Sequence, residues 1–174
     1  MDPVILRTER LELRCVTSDD AEAIAEACQD PLIALFTQVP NPYGLPDARW
    51  FVNDAKARWE QDDAFSFGFF LRSDDSLAGT CVLMKAPDGV LEIGYWTSPQ
   101  CRGQGLTVEA IKRLCQWGFA DLGVDSIRWC AVIGNDASRA VAVKAGFEIH
   151  GTRTITGRGG DAREQWVGLL QNFR

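Results

Sequence analysis

The chain has 174 residues, 46% of them hydrophobic and 24% charged, with a formal net charge of −6. That length suits one domain over 1–174 with a real core, and the composition excludes wholesale disorder, while the acidic balance argues against a nucleic-acid partner. Met1-Asp2-Pro3-Val4 has neither a basic nor an apolar leader segment, and no apolar run approaches the roughly 18 residues that span a bilayer, so a cytoplasmic protein with no membrane partner is expected. The six cysteines are scattered without a Cys-x-x-Cys pair, and His150 is the single histidine. A zinc site or a Cys-His or Ser-His nucleophile therefore has little support, and no metal is expected.

In chain order, Leu11 to Val16 alternates as a first strand, and Thr17-Ser18-Asp19-Asp20 supplies caps for a helix to about Cys28. The stretch from Pro31 to Pro46 also carries Pro40, Pro42 and Gly44, a density that forbids a regular helix. Phe36 and Tyr43 within it predict a loop packed onto the body, either one wall of a substrate pocket or a plain connection. Asp47 is the expected cap of the next helix, which Gln61-Asp62-Asp63 ends. Phe65–Leu71, Leu77–Lys85 and Leu91–Thr97 read as three strands joined by tight turns, an antiparallel meander.

After Ser98-Pro99 the third of these breaks, and a helix from Gly103 to Leu122 follows, with Gly123 just past its end. Ser126 to Ile133 is a further strand, and Asn135-Asp136 opens a short helix through Ala145 that Gly146 terminates. Phe147–Gly151 begins another strand. A turn over Gly157–Asp161 then leads to a last one, Glu164–Leu170. The predicted architecture is α/β, a mixed and mostly antiparallel twisted sheet of about seven strands flanked by about four helices.

The chemistry concentrates where the third meander strand meets the long helix. Gly103 and Gly105 let successive backbone N–H groups converge, and the helix dipole behind them adds partial positive charge, which suits a phosphate or pyrophosphate. A Walker loop needs Lys-Ser or Lys-Thr after the second glycine, where Leu106-Thr107 stands. A dinucleotide fingerprint needs a small residue where Val108 stands.

What remains, Gln100-x-x-Gly103-x-Gly105, is similar to the acetyl-coenzyme A loop of the GNAT N-acetyltransferase superfamily. Thr8-Glu9-Arg10-Leu11-Glu12-Leu13-Arg14 resembles the start of its RimJ/RimL-type branch, which includes ribosomal-protein N-acetyltransferases. Asn135 to Phe147 resembles the family's other hallmark, an Asn followed by Ser, a short helix and Gly-Phe. The resemblance spans essentially the whole chain and implies the GNAT acyl-CoA N-acyltransferase fold, with acetyl-CoA as cosubstrate and an amine as acceptor.

It further implies that Gln100, Cys101, Arg102, Gly103, Gln104, Gly105, Leu106 and Thr107 form the pyrophosphate loop, Arg102 being a possible charge partner. The edge at Tyr95, Trp96 and Thr97 would pair with the pantetheine arm, and Gly94 is the candidate for a bulge that opens this edge. Asn135 either caps its helix or binds a pantetheine amide. Glu92 is the best-placed carboxylate for a base, against a salt-bridged strand Glu as the plain alternative. The short helix lacks the tyrosine that many members use as acid, so Ser138 is the candidate to stabilise the departing thiolate, or else a second capping hydroxyl. Phe36, Tyr43 and Trp96 are the candidate acceptor contacts. The acceptor is expected to be a peptide or protein N-terminal α-amine or a small amine, and the chain a monomer or homodimer. Alternatives are a non-catalytic acyl-CoA or amine-binding module, or an enzyme using another acyl-CoA such as succinyl-CoA, with Arg49 or Arg158 to hold its second carboxylate.

Overall fold

In the computed structural model, which describes residues 1–156 and 160–172, the alternating apolar segments all join one sheet. Its strands are Leu6–Arg7 (β1), Leu11–Arg14 (β2), Ala64–Leu71 (β3), Leu77–Lys85 (β4), Leu91–Thr97 (β5), Ser126–Val132 (β6), Glu148–Thr156 (β7) and Ala162–Gln171 (β8). They lie in the order β1-β2-β3-β4-β5-β6-β8-β7, and every pairing is antiparallel except that of β5 with β6. The expected meander is β3-β4-β5. The eighth strand is β1, whose two residues are too short to leave a periodic signal.

The α-helices among the described residues are Ala21–Ala27 (α1), Pro31–Phe36 (α2), Leu45–Glu60 (α3), Leu106–Asp121 (α4) and Asp136–Ala145 (α5). One more helix appears than expected, because the stretch from Pro31 is not all loop. Pro31 occupies the first turn of α2, where no N–H is required, and the Asp30 carboxylate accepts from the amides of Leu32 and Ile33. Pro46 likewise sits in the first turn of α3. Asp47 is therefore inside α3 and not ahead of it, and its carboxylate reaches back 2.8 Å to accept from the Gly44 amide. The long helix α4 begins at Leu106, later than expected, because Gly103 and Gly105 both have φ of +75° and hold the chain in a loop. Gly146 ends α5 as expected. Gly157, Arg158 and Gly159 of the predicted β7–β8 turn lie outside the described residues.

β3 is buried on both faces, which explains its unbroken apolar run. Phe65, Phe67 and Phe69 belong to the larger core under α4, where Phe65 and Phe67 meet Trp59 and Trp117 edge-on at centroid distances of 5.0–5.6 Å. Phe70, one residue past Phe69 and so on the opposite face, joins the second core under α1, α2 and α3, with Ile24, Ile33, Tyr43 and Val52. Helix α4 closes on the sheet at Gly118, where an added Cβ would stand 2.9 Å from Leu83 Cδ1. No helix of the described residues is long and apolar enough to cross a membrane. Helices thus cover the N-terminal half of the sheet on both faces. The face of β5 and β6 that carries Glu92 and Arg128 lies beyond the second core.

Candidate active site

The two parallel strands in the middle of the sheet stay together for only three residue pairs: Leu91 with Ile127, Glu92 with Arg128, and Ile93 with Trp129. Beyond Ile93, β5 remains on β4 as far as Thr97, while β6 continues on β8 to Val132. The strands therefore fork, and from Gly94 to Thr97 the edge of β5 that faced β6 has no strand neighbour among the described residues. No bulge at Gly94 opens this fork. Val82 pairs with Gly94 in an uninterrupted register, so the opening comes from divergence of β6 and not from an inserted residue.

One mouth of the fork leads to the glycine loop. Ser98 anchors the end of β5 through its amide to Ala78 O and its hydroxyl to Leu77 O, and Thr97 Oγ1 lies 2.6 Å from Thr107 Oγ1 in the first turn of α4. Gly105 is the N-cap residue of α4, and no side chain caps that helix, so its first amides face outward with the dipole behind them. A Cβ at Gly103 would meet nothing within 4 Å. Gln104 closes the loop on itself, donating 3.0 Å to Gln100 O. Cys101 is buried and burial raises its thiol, which makes it an inert part of the loop. Arg102 donates at 3.1 Å to the Asp30 carboxylate that caps α2.

Arg10 was not legible as part of this site, being 94 residues from its partner. Its Nη1 donates 3.0 Å to Gln104 O, and its Nε and amide reach the Glu109 carboxylate at 2.7 and 3.1 Å. Thr8 Oγ1 donates to the same carboxylate at 2.5 Å. The Thr8–Arg10 turn thus clamps the glycine loop to the first turn of α4. Glu109 is thus engaged by a turn from another element.

On the α5 side of the sheet, Asn135 caps its helix, accepting from the Ser138 amide at 3.2 Å. Ser138 is not a second cap. Its Oγ accepts from Trp129 Nε1 at 3.3 Å and donates to the Tyr95 hydroxyl at 3.0 Å, and Tyr95 donates to Ser138 O at 2.9 Å. Burial pushes the Tyr95 phenol up to about 12 against the pull of these partners. Trp129 is the last residue to pair across the fork and Tyr95 lies two residues beyond Ile93, so this hydroxyl pair stands at the fork.

Glu92 points to the opposite face of β5. Its carboxylate accepts from Arg128 Nε at 3.0 Å and from Arg153 Nη2 at 3.2 and 3.3 Å. Arg128 also grips Asp88 with both terminal nitrogens, at 2.6 and 3.2 Å, and Arg153 donates to Gln165 at 3.1 Å. The two guanidiniums come from β6 and β7, and strand periodicity alone does not pair them with Glu92. Cys130 shares this face, its thiol pushed up to about 11 by burial first and then by the Glu92 charge. Of the candidate acceptor contacts, Trp96 is half-buried against the second core, Tyr43 is 8% exposed within that core, and Phe36 ends α2. Arg163 Nη1 reaches Leu35 O at 3.4 Å and so links β8 to α2 across this side.

The profile of the Acetyltransferase (GNAT) domain matches residues 10–148. The Bacillus subtilis protein called uncharacterized N-acetyltransferase YoaA is 28% identical over 84% of this chain and 84% of its own. Among solved structures, RimL, the ribosomal L7/L12 alpha-N-protein acetyltransferase in complex with coenzyme A, superposes with a TM-score of 0.85 at 18% identity, covering 97% of this chain and 98% of that one. The ribosomal-protein-S5-alanine acetyltransferase of Vibrio fischeri gives 0.82 at 17% identity, over 98% and 97% of the two chains.

Proposed function

The chain belongs to the GNAT acetyltransferase family, and on that premise we propose that it transfers the acetyl group of acetyl-CoA directly to a primary amine, foremost the N-terminal α-amine of a peptide or protein. The observation that carries this reading is the fork between β5 and β6, with Glu92 on one face and Ser138 on the other. The outward amides of the uncapped α4 and of the loop from Arg102 to Thr107 hold the pyrophosphate, and the unpaired edge from Tyr95 to Thr97 pairs with the amide-like pantetheine arm as a strand would. Gln100 and Cys101 shape that loop, and the Asn135 amide nitrogen, unused by the cap, is available to the pantetheine.

The amine enters from the Glu92 face. The amine nitrogen bonds to the acetyl carbon, the carbon–sulfur bond breaks, and its electron pair leaves on sulfur. Glu92 receives the amine's proton directly or through a water, its carboxylate held in place by Arg128 and Arg153. Ser138 hydrogen-bonds the departing thiolate; a serine hydroxyl is too weak an acid to protonate it outright. Trp96 and Phe36 line the approach and Tyr43 supports it from the core beneath.

The preference for an α-amine follows from chemistry as well as from the named activities of RimL and the Vibrio fischeri protein. An α-amine has a pKa of about 7.7–8.0 against roughly 10.4 for lysine, so near neutral pH a modest base suffices. Mass spectrometry of acetyl transfer to peptides with free and blocked N-termini, alongside polyamines and aminoglycosides, tests the reading. Transfer to free N-termini supports it. Transfer only to blocked lysine peptides or to small amines overturns the acceptor class, and coenzyme A binding with no transfer to any amine would make the chain a binding module.

A further inference from the structure

Ser138 has one hydroxyl proton, and in this structure that proton is already committed. Trp129 Nε1 donates to Ser138 Oγ, so the Ser138 proton goes to the Tyr95 oxygen 3.0 Å away, and the Tyr95 proton goes to Ser138 O at 2.9 Å. The arrangement leaves no proton aimed into the fork. A thiolate leaving there would meet the lone pairs of Ser138 and be repelled. For Ser138 to help, its bond to Tyr95 must reverse.

The geometry points to Tyr95 as the positioning residue that makes this reversal possible; we propose that the Tyr95 hydroxyl switches from Ser138 O to Ser138 Oγ as the Ser138 proton turns to the departing sulfur. The proposal rests on the reading of Ser138 given above. A hydroxyl–hydroxyl contact at 3.0 Å works in either direction with only two rotations and no heavy-atom movement. The carbonyl that Tyr95 gives up is a helix carbonyl of α5, which keeps the amide four residues on as its partner. In the switched state Ser138 Oγ accepts from both Trp129 and Tyr95 while donating to sulfur, and a donor that itself accepts two hydrogen bonds is a stronger donor. No proton changes owner in this step. The amine's proton leaves on the Glu92 face, the thiolate keeps the electron pair of the broken bond, and solvent protonates it on release. The buried phenol, with its pKa pushed up, stays protonated at working pH and so always has a hydrogen to give.

Tyr95 arrives from β5, 43 residues before Ser138, so the absence of a tyrosine in α5 does not leave the leaving-group side without a phenol. Tyr95→Phe keeps the ring and removes only the hydroxyl. Steady-state kinetics and coenzyme A titration of Tyr95→Phe, Ser138→Ala and the double variant test the proposal. Tyr95→Phe should lower kcat by about tenfold, the worth of one hydrogen bond, with coenzyme A Kd and acceptor KM within about twofold of wild type. Ser138→Ala should lower kcat by about a hundredfold, and the double variant should be no slower than Ser138→Ala alone, because Tyr95 acts through Ser138. A slow Ser138→Ala beside a wild-type Tyr95→Phe overturns the role of Tyr95 and leaves that of Ser138 intact. A wild-type Ser138→Ala overturns both. Losses that multiply in the double variant, or a Tyr95→Phe loss seen only in Kd, also overturn the proposal. Should Tyr95→Phe melt, 3-fluorotyrosine at position 95 carries the test. It keeps the hydroxyl and makes it more acidic, so an altered kcat supports the role and an unchanged one overturns it.

Discussion

Arg102 of the glycine loop donates at 3.1 Å to Asp30, the residue whose other carboxylate oxygen caps α2. A cation of the glycine loop is thus tied to the N-terminus of α2. Arg102, first, and the two α2 amides hold the Asp30 carboxyl below the ordinary carboxylate range. On the proposed reading, an incoming pyrophosphate would compete with Asp30 for the same guanidinium. Asp30→Asn keeps an oxygen for the cap and removes the competing charge, so coenzyme A should bind about two- to fivefold more tightly, the scale of one exposed ion pair. Arg102→Ala should weaken binding. Calorimetry decides, and weaker binding to Asp30→Asn would mean that Asp30 aims Arg102 at the phosphates instead of competing with them.

Gly103 separates backbone strain from ligand clash. Its φ is +75°, yet a Cβ would touch nothing within 4 Å. Gly103→Ala should therefore cost about 1–2 kcal/mol of stability from the left-handed conformation alone. Gly103→Val adds bulk in the space that the proposed reading gives to the phosphates, and on that reading should weaken coenzyme A binding by about 1–3 kcal/mol, the loss of hydrogen bonds to a charged group. Urea melts report the first effect and calorimetry the second. Unchanged coenzyme A affinity in Gly103→Val would remove the loop from the cofactor site.

What sequence could reveal here was local. Positive-φ glycines at 103, 105 and 146 mark where α4 and α5 begin and end, and the alternation of β3 to β5 marks a meander; both are read from a few adjacent residues. Helix α2 was hidden because proline breaks helices everywhere except in the first turn, and composition does not say where the first turn is. The partners that define the candidate site lie far apart in the chain: Arg10 with Glu109, Asp30 with Arg102, Tyr95 with Ser138, Glu92 with Arg153. Each pair is made by strand order and helix packing, which periodicity does not encode. Glu92 and Ser138 could be singled out, but not that one is held by two arginines and the other by a tyrosine.

Two clamps predict how stability depends on pH. Asp20 is 7% exposed; burial would push its carboxyl up, but bidentate bonds from Arg14 at 2.8 and 2.9 Å and the Thr17 amide at 2.7 Å hold it lower than usual. Burial likewise opposes, and Thr8 and Arg10 outweigh it, at Glu109. Both groups therefore titrate lower in the folded chain than in the unfolded one. Their contribution is complete above the unfolded values, about 3.9 and 4.3, and disappears as pH falls through the lower folded values. Asp20→Asn should cost about 1–3 kcal/mol at pH 7 and flatten the loss of stability below pH 4. Urea unfolding at pH 7 and pH 3 measures this; an equal acid loss in wild type and variant would assign it to other carboxyls.

The acceptor leaves its signature in the pH dependence of turnover. Only the neutral amine attacks, and kcat/KM reports the ionisations of free enzyme and free substrate, so a peptide α-amine should make the rate climb through about pH 7.7–8.0 and then level off. A lysine side chain would keep it climbing toward about pH 10.4. Two nearby groups do not blur the comparison, since burial holds Tyr95 at about 12 and Cys130 at about 11. Glu92→Gln keeps acceptor atoms beside Arg128 and Arg153 but cannot take a proton. If Glu92 receives the amine's proton, kcat should fall by about a hundredfold or more while the upper inflection stays with the amine. Initial rates from pH 6 to pH 10 with a free N-terminal peptide, its blocked counterpart carrying one lysine, and the Glu92→Gln variant separate these cases. A plateau reached by about pH 8.5 with the free peptide alone supports the α-amine. A profile still rising at pH 9.5, or a Glu92→Gln variant as fast as wild type, would move the proton path to bulk water or the acceptor to a more basic amine.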